Sequence, residues 1–266
     1  MKATALTLAA TVLCWTAPAL AADRLTDKDV KSLVARIEQD RDRFDNALDG
    51  KLKNSILRGP SGEVKVADLL NEFQESIDRL EERMKPDYAA SAEAGTLLRR
   101  AAAVHRLLRE QLPGIGGESE WNRLETDLKA LALAYGTDFP PPENATVRRI
   151  GDGELAAELD AIARTANQLK KSLDADLKKD TSIDKAARQA IVSEADGLSK
   201  DAKALRDRVK NGQPSSAEAE RLLARAARMK SIIDGHRVPT STAAWTEAST
   251  RIQAVARAYG ASGSVR

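Results

Sequence analysis

Thiols and metal-binding side chains are scarce in this chain of 266 residues, which holds 1 cysteine and 2 histidines. Cys14 lies in an apolar N-terminal run, and a chain that loses this run has neither disulfides nor thiol chemistry. His105 and His236 belong to no E-x-x-H or H-x-x-E pair, and the sequence groups no set of zinc ligands. We therefore predict no metal site.

Aromatic residues are also few, with 3 Phe, 3 Trp and 3 Tyr, and the formal net charge is only +2. Both values argue against a nucleic-acid partner, which needs stacking rings or a basic surface. No haem-attachment motif is present, and Met84 and His105 fall at different heights along neighbouring helices, too far apart to share a haem. We predict no cofactor.

Motifs of nucleophilic and phosphate chemistry are missing as well. The sequence has neither a G-x-S-x-G nucleophile elbow nor a G-x-x-x-x-G-K-[ST] phosphate loop. Ser182 and Lys185 fit S-x-x-K without the other elements of that set, so we interpret Ser182 as a helix cap. The leading expectation is that the protein is not an enzyme.

The N-terminus has the pattern of a secretory signal over residues 1–22. Lys2 supplies the positive charge, residues 3–15 an apolar run, and residues 19–21 an A-x-A cleavage site. The run is too short to cross a membrane as a helix, and the bulky Leu13 before Cys14 does not fit a lipoprotein motif. We expect cleavage near Ala21 and a bacterial protein that is periplasmic or secreted, without a transmembrane segment in the mature chain.

An internal repeat organises the rest of the chain. Residues 91–102, SAEAGTLLRRAA, match residues 216–227, SAEAERLLARAA, at nine of twelve positions and an offset of 125. At the same offset Leu25 falls on Ile150 and Leu80 on Leu205, and an offset of 124 later aligns Trp121 with Trp245. A series of matches in one order predicts a duplication.

The repeat divides the mature chain into copy 1 at residues 23–139 and copy 2 at residues 150–266. The proline-rich residues 140–149 are predicted to link them, although a single eight-helix body with this segment packed along its side is the alternative. The copies carry net charges of −4 over residues 25–139 and +3 over residues 150–264. The opposite signs favour contact between the copies or head-to-tail contact between molecules, or they reflect drift after duplication, which is the favoured interpretation.

Apolar residues recur with helical spacing throughout both copies. The last segment of copy 1, for example, is a heptad seam of Trp121, Leu124, Leu128, Leu131 and Tyr135. Glycine and proline interrupt the pattern where loops are needed, and capping boxes are expected at Thr26, Thr181 and Ser215. No segment alternates with period two over the length of a strand. We predict an all-α fold of two up-down antiparallel four-helix bundles, about eight helices in total.

The positions that both copies share are the candidate ligand-binding residues. Two aromatic pairs offer stacking platforms or, given their heptad spacing, core anchors; a Glu and an Arg seven residues apart form a recognition stripe or ion pairs with a neighbouring helix. The first set is Trp121, Tyr135, Trp245 and Tyr259, and the second is Glu93, Arg100, Glu218 and Arg225. The structural role is the favoured interpretation for both sets.

Duplication without grouped catalytic residues leads to the hypothesis of a non-enzymatic protein-binding or scaffold module of the cell envelope, whose two similar faces engage another envelope protein. The alternative is a carrier that binds a small apolar ligand between its helices, where alanine-rich seams leave room. An enzyme that uses paired carboxylates is a third hypothesis. The sequence leaves the oligomeric state open.

Overall fold

A computed structural model of the chain describes residues 24–59, 62–111 and 116–261. The predicted signal peptide at residues 1–22, with Cys14, lies outside the described residues. None of the helices in the described ranges combines the length and apolar character that crossing a membrane requires.

The first half of the chain forms a bundle of four long helices. They are α1 (Asp27–Ala47), α3 (Val66–Arg83), α4 (Ser91–Gln111) and α5 (Glu118–Ala134). A single helical turn, α2 (Gly50–Lys53), and a short hairpin of β1 (Ile56–Gly59) and β2 (Gly62–Lys65) connect α1 to α3. Helix α1 packs on α3 and α5, and α4 packs on the same two, so the helices form a closed ring of consecutive neighbours.

The second half repeats this arrangement with four helices: α6 (Asp152–Leu177), α7 (Lys185–Lys210), α8 (Ser216–Gly235) and α9 (Pro239–Ala258). Helix α6 packs on α7 and α9, and α8 closes the ring between them. Each half has its own buried core, one built from residues 30–139 and the other from residues 155–259. The all-α prediction is confirmed, and the two rings of four helices are compatible with a tandem duplication.

The copies differ most at the end of their first helix. Helix α6 continues to Leu177, whereas its counterpart in copy 1 stops at Ala47 and resumes for one turn as α2. Gly50 lies at the break where copy 2 has Ala175. Glycine costs about 1 kcal/mol in a helix relative to alanine, so an unbroken helix would be less stable at this position in copy 1 than in copy 2.

The hairpin was not expected, because no strand was predicted. It falls at the positions that in copy 2 form the turn before α7 and the start of that helix, and it pairs Ile56 with Lys65 and Leu57 with Val64 in antiparallel register. Each strand has only four residues, too few for an alternating pattern to be recognised in the sequence.

Capping was predicted correctly for one helix of three. Thr26 and Asp29 form a complete capping box at α1. Helix α7 begins instead after Asp184, whose carboxylate accepts from the amide of Ala187, so neither Thr181 nor Ser182 is its cap. Ser215 is the N-cap residue of α8, but its hydroxyl bonds to a tyrosine rather than to the helix. The Ser215 hydroxyl therefore bonds to Tyr259 at the end of α9 in place of the expected amide in the first turn of α8.

The segment between the bundles packs against copy 1. Arg148 donates its amide to the carbonyl of Tyr135 at 2.9 Å, and Val147 packs on the first core, in contact with α4 at Gly95. Phe139 is buried, and the bond between it and Pro140 is cis. The connection is therefore held against the first bundle up to the start of α6.

Candidate binding site between the two bundles

The two bundles meet through the starts of their first helices, α1 and α6. Asp27 and Asp152 are each the first residue of their helix, and they are 125 positions apart. The amide of Asp27 donates to Oδ2 of Asp152 at 2.8 Å, and the amide of Asp152 donates to Oδ2 of Asp27 at 2.9 Å. Each carboxylate therefore satisfies a free amide at the positive end of the other helix.

Two arginines, also 125 positions apart, complete this contact. Arg24 donates to Oδ1 of Asp152 at 2.5 Å, and Arg149 donates to Oδ1 of Asp27. The same guanidinium groups bond to carbonyl oxygens before the opposite helix, Arg24 to Ile150 at 2.5 Å and Arg149 to Leu25 at 2.9 Å. We call Arg24, Asp27, Arg149 and Asp152 the reciprocal clasp.

Each of these six hydrogen bonds has a counterpart among the other five, with the roles of the copies exchanged. Such an interface has the isologous form of a two-fold symmetric dimer, although both partners belong to one chain. The arginine side chains are almost fully buried, with 8% of Arg24 and 3% of Arg149 exposed. Because the charges are paired and shielded from water, the clasp holds the two bundles in a defined orientation.

In copy 1, the side chains of Tyr135 and Ser91 form hydrogen bonds next to the clasp. The hydroxyl of Tyr135 donates to the carbonyl of Ala89 at 2.6 Å and ties the end of α5 to the start of α4. The hydroxyl of Ser91 accepts from the amide of Arg149 at 3.1 Å. Burial raises the pKa of Tyr135 to about 12, so this hydroxyl keeps its proton and remains a donor.

Copy 2 uses a related bond at the equivalent place. The Tyr259 hydroxyl lies 2.7 Å from the Ser215 hydroxyl, and this joins the end of α9 to the start of α8. Burial also raises the pKa of Tyr259. The two tyrosines named as ligand candidates are thus buried and hydrogen-bonded, and they support the ends of the bundles that form the clasp.

A cleft of about 800 Å³ lies beside the clasp, between the bundles. Copy 1 contributes the first turns of α1 and the turn that follows α3, and copy 2 contributes the start of α6 and the end of α7. Its apolar surface includes Met84, Pro86, Tyr88, Ala156 and Val209. The volume falls in the range of small-molecule sites.

The carboxylates that line the cleft are engaged by the fold. Asp27 and Asp152 belong to the clasp, and Asp29 accepts two hydrogen bonds from Thr26, which lower its pKa. Asp160 accepts from Arg206 at 2.5 Å, and this bond lowers the pKa of Asp160. Three of these four carboxylates are thus paired with an arginine, whereas Asp29 is exposed and is bonded through Oδ2 to the uncharged Thr26.

Most of the lysine side chains that line the cleft, unlike its carboxylates, have no close partner among the described residues. Lys210 lies 3.6 Å from Asp160. Among the residues that the structure describes, Lys28, Lys31 and Lys85 line the cleft without an ion-pair partner, and all three are exposed. Asp27, Asp152 and Asp160 are neutralised by arginines, and Asp29 alone keeps its charge, so the three unpaired lysines outnumber it and the cleft presents net positive charge to solvent.

The two tryptophans named as stacking candidates are core residues. Trp121 is 3% exposed and packs edge-to-face on Phe44, with ring centroids 5.2 Å apart. Trp245 is 7% exposed in the second core. The structure does not bring them together with the cleft, which neither residue lines.

The candidate glutamates pair with the same arginine position in both copies. Glu93 lies 3.8 Å from Arg83, and Glu218 lies 3.4 Å from Arg208, so each links its helix to the preceding one. Glu93 also accepts from the Tyr88 hydroxyl at 3.2 Å, at the edge of the cleft.

The candidate arginines bridge the same pairs of helices with different partners. Arg100 pairs with Glu72 on α3. Arg225 bonds to Asp201 at 2.6 Å and to Glu194 at 3.1 Å on α7, and it crosses α7 over Gly197, where a Cβ would overlap its guanidinium. Gly197 is the copy 2 counterpart of Glu72. Because Gly197 has no side chain, Arg225 can lie across α7 and bond to both Asp201 and Glu194.

A polar cluster that the sequence analysis did not identify lies in copy 1 around Glu125. The carboxylate bonds to Lys129 at 2.6 Å, and its Oε2, which receives no hydrogen bond among the described residues, lies 3.5 Å from His105 and 3.6 Å from Arg109. Trp121 donates its indole N–H to His105 Nδ1 at 3.3 Å. The sequence feature that could have pointed to this cluster is the position of Glu125, an acid four residues after Trp121 and therefore on the same face of α5, at the edge of the heptad seam.

His105 is expected to titrate below the ordinary histidine value of about 6.5. Burial lowers its pKa most, the Glu125 carboxylate raises it, and Arg109 and Lys129 lower it further. In a His236→Gln background, NMR should therefore give a His105 midpoint below 6.5, and Glu125→Gln should lower it again. A midpoint that stays the same or rises in the Glu125→Gln variant would show that the carboxylate does not act on the imidazole.

The described ranges contain no group of three or more His, Cys, Asp or Glu side chains that could hold a metal ion. A scan against protein-family models finds no match, and searches of curated proteins and of solved structures find none either. The four residues of the clasp were not singled out from the sequence, although R-L-T-D at residues 24–27 and R-I-G-D at residues 149–152 share its signature.

Proposed function

We propose that this protein is an exported, non-enzymatic binding module, which engages another protein of the bacterial cell envelope in the periplasm or outside the cell. The observation that carries the proposal is the reciprocal clasp. It joins two bundles of similar shape in one orientation, so a partner meets surfaces of both copies at once. Simultaneous contact with two surfaces raises affinity without any additional type of contact.

The polar groups at the meeting point support binding better than catalysis. Each carboxylate beside the clasp is held by an arginine, a lysine, a hydroxyl or a backbone amide of the same chain. The carboxylates paired with arginines hold the bundles in position, whereas a general acid or base must be free to exchange a proton with a substrate.

The alternative of a carrier for a small apolar molecule requires room between the helices of one bundle. A cavity lined by Phe44, Val66, Leu70, Val104 and other residues of the first core has about 10 Å³. This is about the space of one water molecule. The larger space lies between the bundles, which favours a ligand that contacts both copies.

Photo-crosslinking in the organism that encodes the protein tests the proposal. A crosslinking amino acid would replace Tyr88 in the cleft, and in separate strains Leu133, which is 71% exposed on the outside of copy 1. We expect one discrete adduct with an envelope protein, stronger at one position than at the other, and a chain that has lost residues 1–22. Recovery of only the uncrosslinked chain from both positions and from further exposed positions on copy 2 would contradict the proposal.

A further inference from the structure

We infer that the cleft between the bundles binds an extended acidic peptide segment that carries apolar side chains, contributed by the partner protein. The inference rests on the proposed function and names the site and the chemistry of its ligand. It depends on the unpaired cations of the cleft, on its apolar surface and on the placement of both.

Charge is the first argument. Lys28 and Lys31 lie one turn apart on α1, and Lys85 lies on a second wall, in the turn after α3. Cations spread over two walls match several carboxylates along a chain better than one anionic head group. The ammonium groups are exposed, so they steer an acidic ligand toward the cleft.

The apolar surface is the second argument. Tyr88 is 45% exposed and is one of three large hydrophobic side chains that the described residues leave exposed. Met84 and Val209, which occupy equivalent positions in the two copies, line the same cleft. Since Met84 and Val209 are only 6% and 4% exposed, the ring of Tyr88 is the surface that an apolar side chain of a peptide would remove from water, which stabilises the complex.

The charge is also placed asymmetrically, although the clasp is symmetric. The copy 2 counterparts of Lys28 and Lys31 are Gly153 and Ala156, and the Cα of Gly153 packs against the carbonyl of Pro86. The counterpart of Lys85 is Lys210, which also lines the cleft but lies 3.6 Å from Asp160, so the lysines without an ion-pair partner among the described residues of the cleft are those of copy 1. One chain offers one site, in which a bound segment has a preferred direction.

Fluorescence anisotropy of the chain without residues 1–22 tests the inference. The probe is a dye-labelled octapeptide of alternating glutamate and leucine, and the control probe carries glutamine in place of glutamate. We expect the acidic probe to bind measurably and the glutamine probe not to bind. We expect the Kd of the acidic probe to be at least about tenfold higher for the triple variant K28E/K31E/K85E than for the unaltered chain. Equal binding of the two probes, or an unchanged Kd in the triple variant, would overturn the inference.

A matched variant separates local from overall charge. K171E/K179E/K203E changes the net charge equally at exposed lysines of α6, α7 and the turn between them, away from the cleft. It should bind the acidic probe like the unaltered chain. If both triple variants lose binding equally, the effect is one of net charge and the cleft is not the site. Thermal unfolding of both variants checks that the fold persists.

Further outcomes distinguish a peptide from a small anion, and distinguish failure of the inference about the cleft from failure of the proposed function. Displacement of the probe by an equal concentration of the small dicarboxylate suberate would assign the cleft to a small organic anion and overturn the peptide inference. If the acidic probe does not bind but crosslinking in the envelope yields a discrete partner, the inference about the cleft fails and the proposed function stands. If neither experiment detects a ligand, both fail.

Discussion

Replacing Arg149 with methionine is expected to lower the free energy of unfolding by about 3 kcal/mol, because it leaves a partly buried carboxylate without its cation. The Arg149 side chain is 3% exposed and bonds both to Asp27 and to the carbonyl of Leu25. Asp27 keeps the hydrogen bond from the amide of Asp152, which limits the loss. Urea unfolding followed by circular dichroism measures the change.

The neighbouring residue supplies the control. Arg148 is 69% exposed and lies 3.8 Å from Glu154, so Arg148→Met removes an equal charge from a solvated pair. Its effect should stay below about 1 kcal/mol. If the two variants are equally stable, the clasp does not contribute to the folded state as its burial implies, and its role in orienting the bundles is refuted with it.

Replacing Asp176 with alanine is also expected to cost about 3 kcal/mol. Helix α9 has no side-chain cap of its own, and Asp176 on α6 takes that role from a distance. One carboxylate oxygen accepts from the amides of Thr240 and Ser241, both at 3.0 Å, and from the Ser241 hydroxyl at 2.9 Å. The substitution leaves the buried Ser241 hydroxyl and the Thr240 amide without this acceptor, whereas the Ser241 amide keeps its bond to the carbonyl of Val238 at 3.1 Å.

The cost should depend on pH in a defined direction. Burial alone would raise the pKa of Asp176, but the hydrogen bonds from Ser241 and Thr240 lower it below the ordinary value of about 4. A carboxyl whose pKa is lower in the folded state stabilises the protein above its unfolded pKa, and this contribution is lost as the pH falls through the folded value. The difference in unfolding free energy between the unaltered chain and Asp176→Ala should therefore shrink below about pH 4.

Asp174→Ala serves as the comparison, because Asp174 is an exposed partner of Lys178 on the same helix. Its effect on stability should be much smaller than that of Asp176→Ala. A difference between the unaltered chain and Asp176→Ala that remains constant from pH 7 to pH 3 would show that the ionised carboxylate is not what caps α9.

Local patterns in the sequence determined the helices and the core. The heptad seam that contains Trp121 and Tyr135 is buried in copy 1, and its counterpart with Trp245 and Tyr259 is buried in copy 2. Periodicity predicts such faces because a helix repeats every 3.6 residues, whichever neighbour covers it. The capping box of Thr26 and Asp29 was predictable for the same reason, since both partners lie within one turn.

Only the tertiary structure decided how the copies meet and where a ligand has room. Arg24 with Asp152 and Arg149 with Asp27 are pairs more than 120 residues apart in sequence, and a repeated arginine and aspartate do not reveal that each bonds to the other copy. The bonds between Asp176 on α6 and the start of α9, and the approach of Glu125 to His105, are also contacts between different helices. Such contacts depend on which helix ends come together in space, and side-chain spacing along one helix carries no information about that.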